Sequence, residues 1–171
     1  MRINKKLVLK SGIYALVFIF FIVLETNVLN DLKIFGVKPN LIISLIIAAA
    51  VMENEKYAAI FGLVCGFIVD SSVGSPFSFS GIYYFFAAYI TGIITKHYFT
   101  KSILTMIIVI LPVCAVREIF NMFYLMGIWG NFNIAEALFG YILPEYAYTA
   151  VLAPAVYLLV KITAGRITIN N

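Results

Sequence analysis

Apolar residues fill this chain in long runs that short polar stretches separate. An α-helix rises about 1.5 Å per residue, so about 20 residues are needed to cross the hydrocarbon of a bilayer. The runs predict six membrane-spanning helices, at 11–29, 40–53, 57–73, 79–96, 102–126 and 136–163. Pro144 and Pro154 interrupt the last run, so we expect a short outer helix followed by a span from about 145 to 163.

The composition supports this interpretation. Hydrophobic residues make up 63% of the 171 residues, charged residues only 12%, and the mean hydropathy is +1.03. A soluble domain needs a charged surface, which this chain cannot provide. We therefore predict an all-α integral membrane protein, with residues 1–171 forming a single six-helix domain.

The positive charges predict the orientation of the helices. Lysine and arginine lie mainly at the ends of the apolar runs and form no dense basic stripe, which excludes a nucleic-acid-binding surface. If the N-terminus is cytoplasmic, nine of these residues lie at cytoplasmic ends: Arg2, Lys5, Lys6, Lys10, Lys56, Lys96, Lys101, Lys161 and Arg166. Only Lys33 and Lys38 then lie in outer loops. This asymmetry predicts that both termini are cytoplasmic.

The third predicted helix carries an aspartate within its apolar sequence. Ala58, Gly62, Gly66 and Asp70 recur every four residues and therefore share one helix face. Small residues on a face allow another helix to approach closely. We expect Ala58, Gly62 and Gly66 to form a helix-packing face, with Asp70 pointing into the same contact.

Four further charged residues are predicted at the height of Asp70. Counted along its helix, Asp70 lies roughly 20 Å from the cytoplasmic end, and Glu25, Arg117, Glu118 and Glu145 come out near the same level. Arg117 is the only cation among them and is expected to hold Asp70 or Glu25 in a two-pronged contact. Glu118 lies about 100° around the helix from Arg117 and is expected to face elsewhere.

This intramembrane polar cluster has three interpretations. Buried charges are costly unless paired or hydrated, so the cluster is a structural pin, a ligand or partner contact in an outward-facing cavity, or part of a proton relay. A relay needs sites through the whole bilayer, and the inner half is expected to contain none. His97 is the only histidine and is predicted at the opposite face, so no serine or cysteine gains a catalytic partner. We expect no enzyme activity, no cofactor and no metal site.

Aromatic residues are frequent on the predicted outer side. An interfacial belt is one interpretation. The other is a groove for a partner helix or a small ring-shaped ligand, and Phe79, Tyr83 and Tyr84 are the candidate partner surface.

The stretch from 38 to 92 resembles the MreD family of bacterial rod-shape proteins. The matching residues are Lys38-Pro39-Asn40-Leu41, the segment GLVCGFIVDSSVGSP, and then Tyr89 and Gly92. Asp70 and the turn Gly74-Ser75-Pro76 are the most family-like element. Ser78 stands where the family typically has glycine, two residues after the proline.

The resemblance implies a non-enzymatic scaffold of the cell-elongation machinery that helps to organise peptidoglycan synthesis in the bacterial cell membrane. It implies MreC as direct partner, with MreB, RodA and a class B penicillin-binding protein in the wider complex. It also implies a fold like that of the S components of energy-coupling-factor transporters. We expect the single membrane helix of MreC to dock on the outer groove or on a small-residue face. Alternatively, Gly62 and Gly66 form the interface of a homodimer.

A vitamin-binding S component is the alternative function, because it explains an outer polar layer and aromatic residues equally well. Such proteins typically offer an alanine-rich first helix to their partner. Here Ala15 is almost the only alanine among bulky residues in the first predicted helix, which weakens this alternative. A proton-coupled carrier is a third alternative, which the lack of an evident repeat disfavours.

Overall fold

We describe a computed structural model of the protein, which places residues 5–28, 37, 39–73, 79–129 and 138–163. Within these ranges all regular structure is helical. The helices are α1 (Lys5–Val23, continued by a π-helical turn, Leu24–Val28), α2 (Leu41–Met52), α3 (Glu55–Val73), α4 (Phe79–Tyr98), α5 (Ile103–Trp129) and α6 (Leu143–Thr163, preceded by a π-helical turn, Leu138–Ile142). Each corresponds to one of the helices that the apolar runs predict.

α2 lies at the centre of the bundle and contacts each of the other five helices. Its residues from Leu41 to Val51 are all buried, as expected for a helix that is apolar on every side. Its 12 residues correspond to about 18 Å, well short of a hydrocarbon thickness of about 30 Å. A helix this short cannot reach both surfaces of a bilayer, and its start at Asn40 and Leu41 is buried, so the N–H groups there need protein partners.

α3 and α4 are the most closely packed pair of helices. A Cβ atom added to Gly62 would lie 2.6 Å from the carbonyl oxygen of Tyr84, and one added to Gly66 would lie 2.4 Å from Cα of Gly81. These distances are too short for any side chain, so glycine is required for the two backbones to meet. The predicted packing residues Gly62 and Gly66 thus lie against α4 of the same chain, and Ala58, on the same face, is fully buried.

Among the described helices, three are long and apolar enough to cross a membrane: Val8–Asn27, Ile103–Phe120 and Leu143–Thr163. The central helix Leu41–Met52 is apolar but shorter. Large apolar side chains cover the outside of the bundle, as Leu16 (69% exposed) and Val151 (74%) illustrate. This is the surface that a lipid environment requires, and it agrees with the prediction of an all-helical membrane protein.

The bundle has two ends with different polar chemistry. α1 and α3 finish where α2 and α4 begin, and α5 passes the start of α6 at the same end. We call this end, with Glu25, Asp70 and Glu145, the acidic end. The opposite end, where Lys10 and Lys101 contact the turn between α2 and α3, is called the lysine end.

Candidate functional site

The start of α2 is held by side chains at the acidic end. Asn40 is the N-cap, and its Oδ1 accepts a hydrogen bond from the Ile43 N–H at 3.0 Å. The Asn40 N–H donates to Oγ1 of Thr149 in α6 at 2.9 Å, and Oε2 of Glu25 accepts from the Ile42 N–H at 3.3 Å. Three neighbouring N–H groups thus find buried oxygen acceptors, and a carboxylate at this position also complements the positive end of the helix dipole.

Asp70 performs the same task for α4. Its Oδ2 accepts a hydrogen bond from the N–H of Gly81 at 3.3 Å, and Gly81 is the third residue of α4. Asp70 is 6% exposed, so water cannot replace this bond freely. The close contact between Gly66, one turn before Asp70, and Gly81 brings the carboxylate within reach of that N–H.

Arg117 contacts two carboxylates, one of them its neighbour in sequence. Its Nη1 lies 2.7 Å from Oε1 of Glu118 and 3.0 Å from Oε1 of Glu145. The predicted pairing of Arg117 with Asp70 or Glu25 is therefore wrong, and so is the expectation that Glu118 faces elsewhere. The long guanidinium side chain bends back to the adjacent carboxylate, and the first turn of α6 lies beside α5 at this depth.

A buried tyrosine lies among these charges. Tyr84 is 2% exposed and belongs to the hydrophobic core. Arg117, Glu25 and Asp70 all lie within electrostatic range of its phenol group. The structure therefore gathers the predicted polar residues at one end of the bundle. They lie around Tyr84, which was predicted to belong to the candidate partner surface.

The candidate partner surface is only partly exposed. Phe79 is 46% exposed and lies 5.5 Å, between ring centroids, from Phe120, whereas Tyr83 is half-buried and donates its hydroxyl hydrogen to the carbonyl of Val113. Tyr84 is not part of this surface, because it lies on the face of α4 that packs against α2 and α3. The predicted turn Gly74-Ser75-Pro76 lies outside the described residues.

A second buried ion pair, at the lysine end, was not predicted. Lys10 Nζ lies 2.7 Å from Oε2 of Glu53, and both side chains are nearly buried. The Tyr14 hydroxyl donates to Oε1 of Glu53 at 2.9 Å. A signal was present in the sequence, because Lys10, Tyr14, Phe21 and Glu25 follow helical spacing and form one buried face of α1.

A cavity of about 240 Å³ lies between α5 and the start of α6, beside the Arg117 cluster. Glu118 and Tyr146 contribute to its wall. The remaining lining residues are apolar: Ala115, Ile119, Met122, Ile142 and Leu143. The surface of this cavity is therefore almost entirely apolar.

The chemistry of the acidic end is that of helix capping and ion pairing. In the part of the chain that the structure describes, no three His, Cys, Asp or Glu side chains come together as metal ligands would. Comparisons with family models, with curated proteins and with solved structures found nothing that matches this chain. The functional argument therefore rests on the residues and their contacts.

Proposed function

We propose that this chain is a non-enzymatic membrane scaffold of the bacterial cell-elongation machinery, similar to MreD, and that MreC binds it directly. The observation that carries the proposal is the role of two residues in the family-like motifs. Asn40 caps α2 and Asp70 caps α4. The residues behind the resemblance thus hold the body of the protein together, as expected of a scaffold whose outer surface binds partners.

The same residues argue against catalysis at the acidic end. The carboxylates of Glu25 and Asp70 accept hydrogen bonds from backbone N–H groups, and Arg117 contacts Glu118 and Glu145. Carboxylates that accept hydrogen bonds from helix starts stabilise the fold, and moving them to assist a reaction would leave buried N–H groups without partners.

The proposed topology has six spans and cytoplasmic termini in the cell membrane. α3 and α4 contain 19 and 20 residues, which corresponds to about 30 Å and matches the hydrocarbon thickness. α2 is shorter but sits inside the bundle, where protein satisfies both of its ends. The lysine end, with Lys56, Lys96 and Lys101, faces the cytoplasm in this arrangement.

MreC docking is proposed on the exposed aromatic surface between α4 and α5, formed by Phe79 and Phe120 with Tyr83 behind them. Single cysteines in place of Phe79 and Ile82, both exposed, should form crosslinks with cysteines in the membrane helix of MreC. Cysteines at Leu16 and Val151, which are more exposed, are the controls elsewhere on the bundle. Crosslinks at the controls with none at Phe79 and Ile82 would place MreC on another surface, and failure of MreC to copurify would overturn the proposal itself.

The alternative function, a vitamin-binding S component, requires a ligand cavity. Among the described residues, the cavity beside Glu118 has a volume of about 240 Å³, below the range of about 300–1,000 Å³ typical of small-molecule sites. The scaffold is therefore the better-supported proposal. Tight binding of a vitamin to the purified chain, measured by calorimetry, would reverse that preference.

A further inference from the structure

Three lysines converge on the turn between α2 and α3. Lys101 Nζ donates to the carbonyl of Met52 at 2.6 Å, and Lys96 Nζ lies 3.1 Å from Oε1 of Glu55. Lys56 follows Glu55 directly in the first turn of α3. We call Lys56, Lys96 and Lys101, gathered around this turn, the basic lip.

The basic lip has an excess of positive charge. Glu53, in the same turn, is held by the buried Lys10, so it does not neutralise the lip. Glu55 contacts Lys96, and a hydrogen bond from its own backbone N–H together with the Lys96 ammonium keeps the pKa of its carboxyl below the usual value. Within the described residues, neither Lys56 nor Lys101 forms an ion pair with a carboxylate.

The lip lies where a membrane surface is expected. The apolar span of α5 begins at Ile103, two residues after Lys101. Tyr98 and Phe99, which follow Lys96 closely, are 80% and 39% exposed. Exposed aromatic rings next to lysines, directly outside an apolar span, are typical of the headgroup region of a bilayer.

We propose that the basic lip binds the phosphodiester groups of anionic phospholipids such as phosphatidylglycerol. The argument is charge complementarity at the membrane boundary. The ammonium groups of Lys56 and Lys101, which form no ion pair with a carboxylate among the described residues, lie where the lipid phosphates are expected. Each lysine near an anionic bilayer surface contributes about 1 kcal/mol, equivalent to about a fivefold change in affinity. This binding depends only on the protein being embedded in a membrane, not on MreC.

The test uses the full chain in nanodiscs of phosphatidylcholine alone or mixed with phosphatidylglycerol. Phosphatidylglycerol should raise the unfolding temperature of the wild type. Lys56→Gln removes a side chain that forms no ion pair with a described carboxylate. It should reduce the apparent affinity for phosphatidylglycerol about fivefold, and added salt should also reduce it. Lys101→Gln should act similarly, while Lys101→Arg should retain the affinity.

Lys161→Gln is the control for general attraction to an anionic surface, because Lys161 is an exposed lysine in the last turn of α6, outside the lip, and its loss should be smaller than that of a lysine in the lip. Equal effects of the two lipids, or an equal loss for Lys161→Gln and Lys56→Gln, would overturn the proposal. Inorganic phosphate added to phosphatidylcholine nanodiscs should not stabilise the protein, and stabilisation by it would identify a site for free phosphate instead. Copurification with MreC is measured on the same variants and should be unchanged. The result for lipid binding by the basic lip is therefore independent of the result for MreC binding.

Discussion

The two ends of the bundle use charged residues in different ways. At the acidic end, Glu25 and Asp70 accept hydrogen bonds from the first turns of α2 and α4. At the lysine end, Lys101 donates to the carbonyl of Met52, the last residue of α2, and Lys10 pairs with Glu53 just after it. The start of α2 therefore meets carboxylate and amide oxygens, and its end meets ammonium groups.

This difference follows from the polarity of the helix. Free N–H groups and partial positive charge lie at a helix start, and free carbonyls and partial negative charge lie at its end. Because the start of α2 is buried, neighbouring helices must supply acceptors for its N–H groups. The burial of the Glu25 carboxylate is thus a consequence of placing the start of a short helix inside the bundle.

Removing the guanidinium of Arg117 should have the largest effect. Arg117→Leu removes the partly buried cation that lies between Glu118 and Glu145. Because two carboxylates lose it at once, we expect a loss of about 3–5 kcal/mol, the cost of breaking a buried ion pair. Arg117→Lys keeps the charge and should cost less. The free energy of unfolding in detergent measures both. If Arg117→Leu were as stable as the wild type, the ion pairs would not hold α5 and α6 together.

Breaking the ion pair at the lysine end should cost less. Lys10→Met removes one cation from Glu53, which still accepts a hydrogen bond from Tyr14, so we expect a loss at the lower limit for a buried pair, about 3 kcal/mol. Adding Glu53→Gln should recover most of that loss, because no uncompensated charge then remains. A double substitution that is no more stable than Lys10→Met would contradict this account. Unfolding free energies of the three proteins provide the comparison.

The close contact between Gly66 of α3 and Gly81 of α4 is tested by adding one methyl group. Gly66→Ala should separate α3 from α4 and lengthen the bond from Gly81 to Asp70, with a loss of about 1–3 kcal/mol from overpacking. Gly12→Ala is the matched control, since nothing lies within 4 Å of its added Cβ. In a helix that change should be neutral or slightly stabilising. Equal stability of the two variants would show that the helices do not approach this closely.

The smallest effect is expected from Glu55, which lies at the lysine end and meets water. The pKa of the Glu55 carboxyl in the folded protein lies below its usual value. The contact with Lys96 therefore stabilises the fold at pH values above the unfolded pKa of about 4.3, and this stabilisation is lost as the pH falls through the folded pKa. The unfolding temperature of the wild type should slightly exceed that of Glu55→Gln at neutral pH, and the difference should vanish in acid. A difference that grew on acidification would contradict the direction of the pKa shift.

Much of the fold could be predicted because each helix carries its own signal. Apolar runs give the positions of the helices, and the rise per residue places Glu25, Asp70 and Arg117 at one end. The partner of Arg117 depends on which helix lies beside α5, and this is decided by packing rather than by local sequence. The burial of Tyr84 had a signal that was missed: it follows Gly81 by three residues and precedes Ala88 by four, on the small-residue face of α4.

The burial of Lys10 and Glu53 was missed for a different reason. Charged residues next to apolar runs are usually solvated, and only the fold brings the first turns of α1 against the turn after α2. Tyr14, one turn after Lys10, supplies the hydroxyl that makes the pair part of a buried hydrogen-bond network. Pairing between distant segments is a property of the tertiary structure.

Amide hydrogen exchange at Ile42 and Gly81 tests most directly the central claim that buried carboxylates cap helix starts. In the wild type both amides should be protected. Glu25→Ala should accelerate exchange at Ile42 but not at Gly81, and Asp70→Ala should do the reverse. Unchanged exchange at both amides in both variants would contradict the claim, as would equal acceleration of the two amides by either substitution.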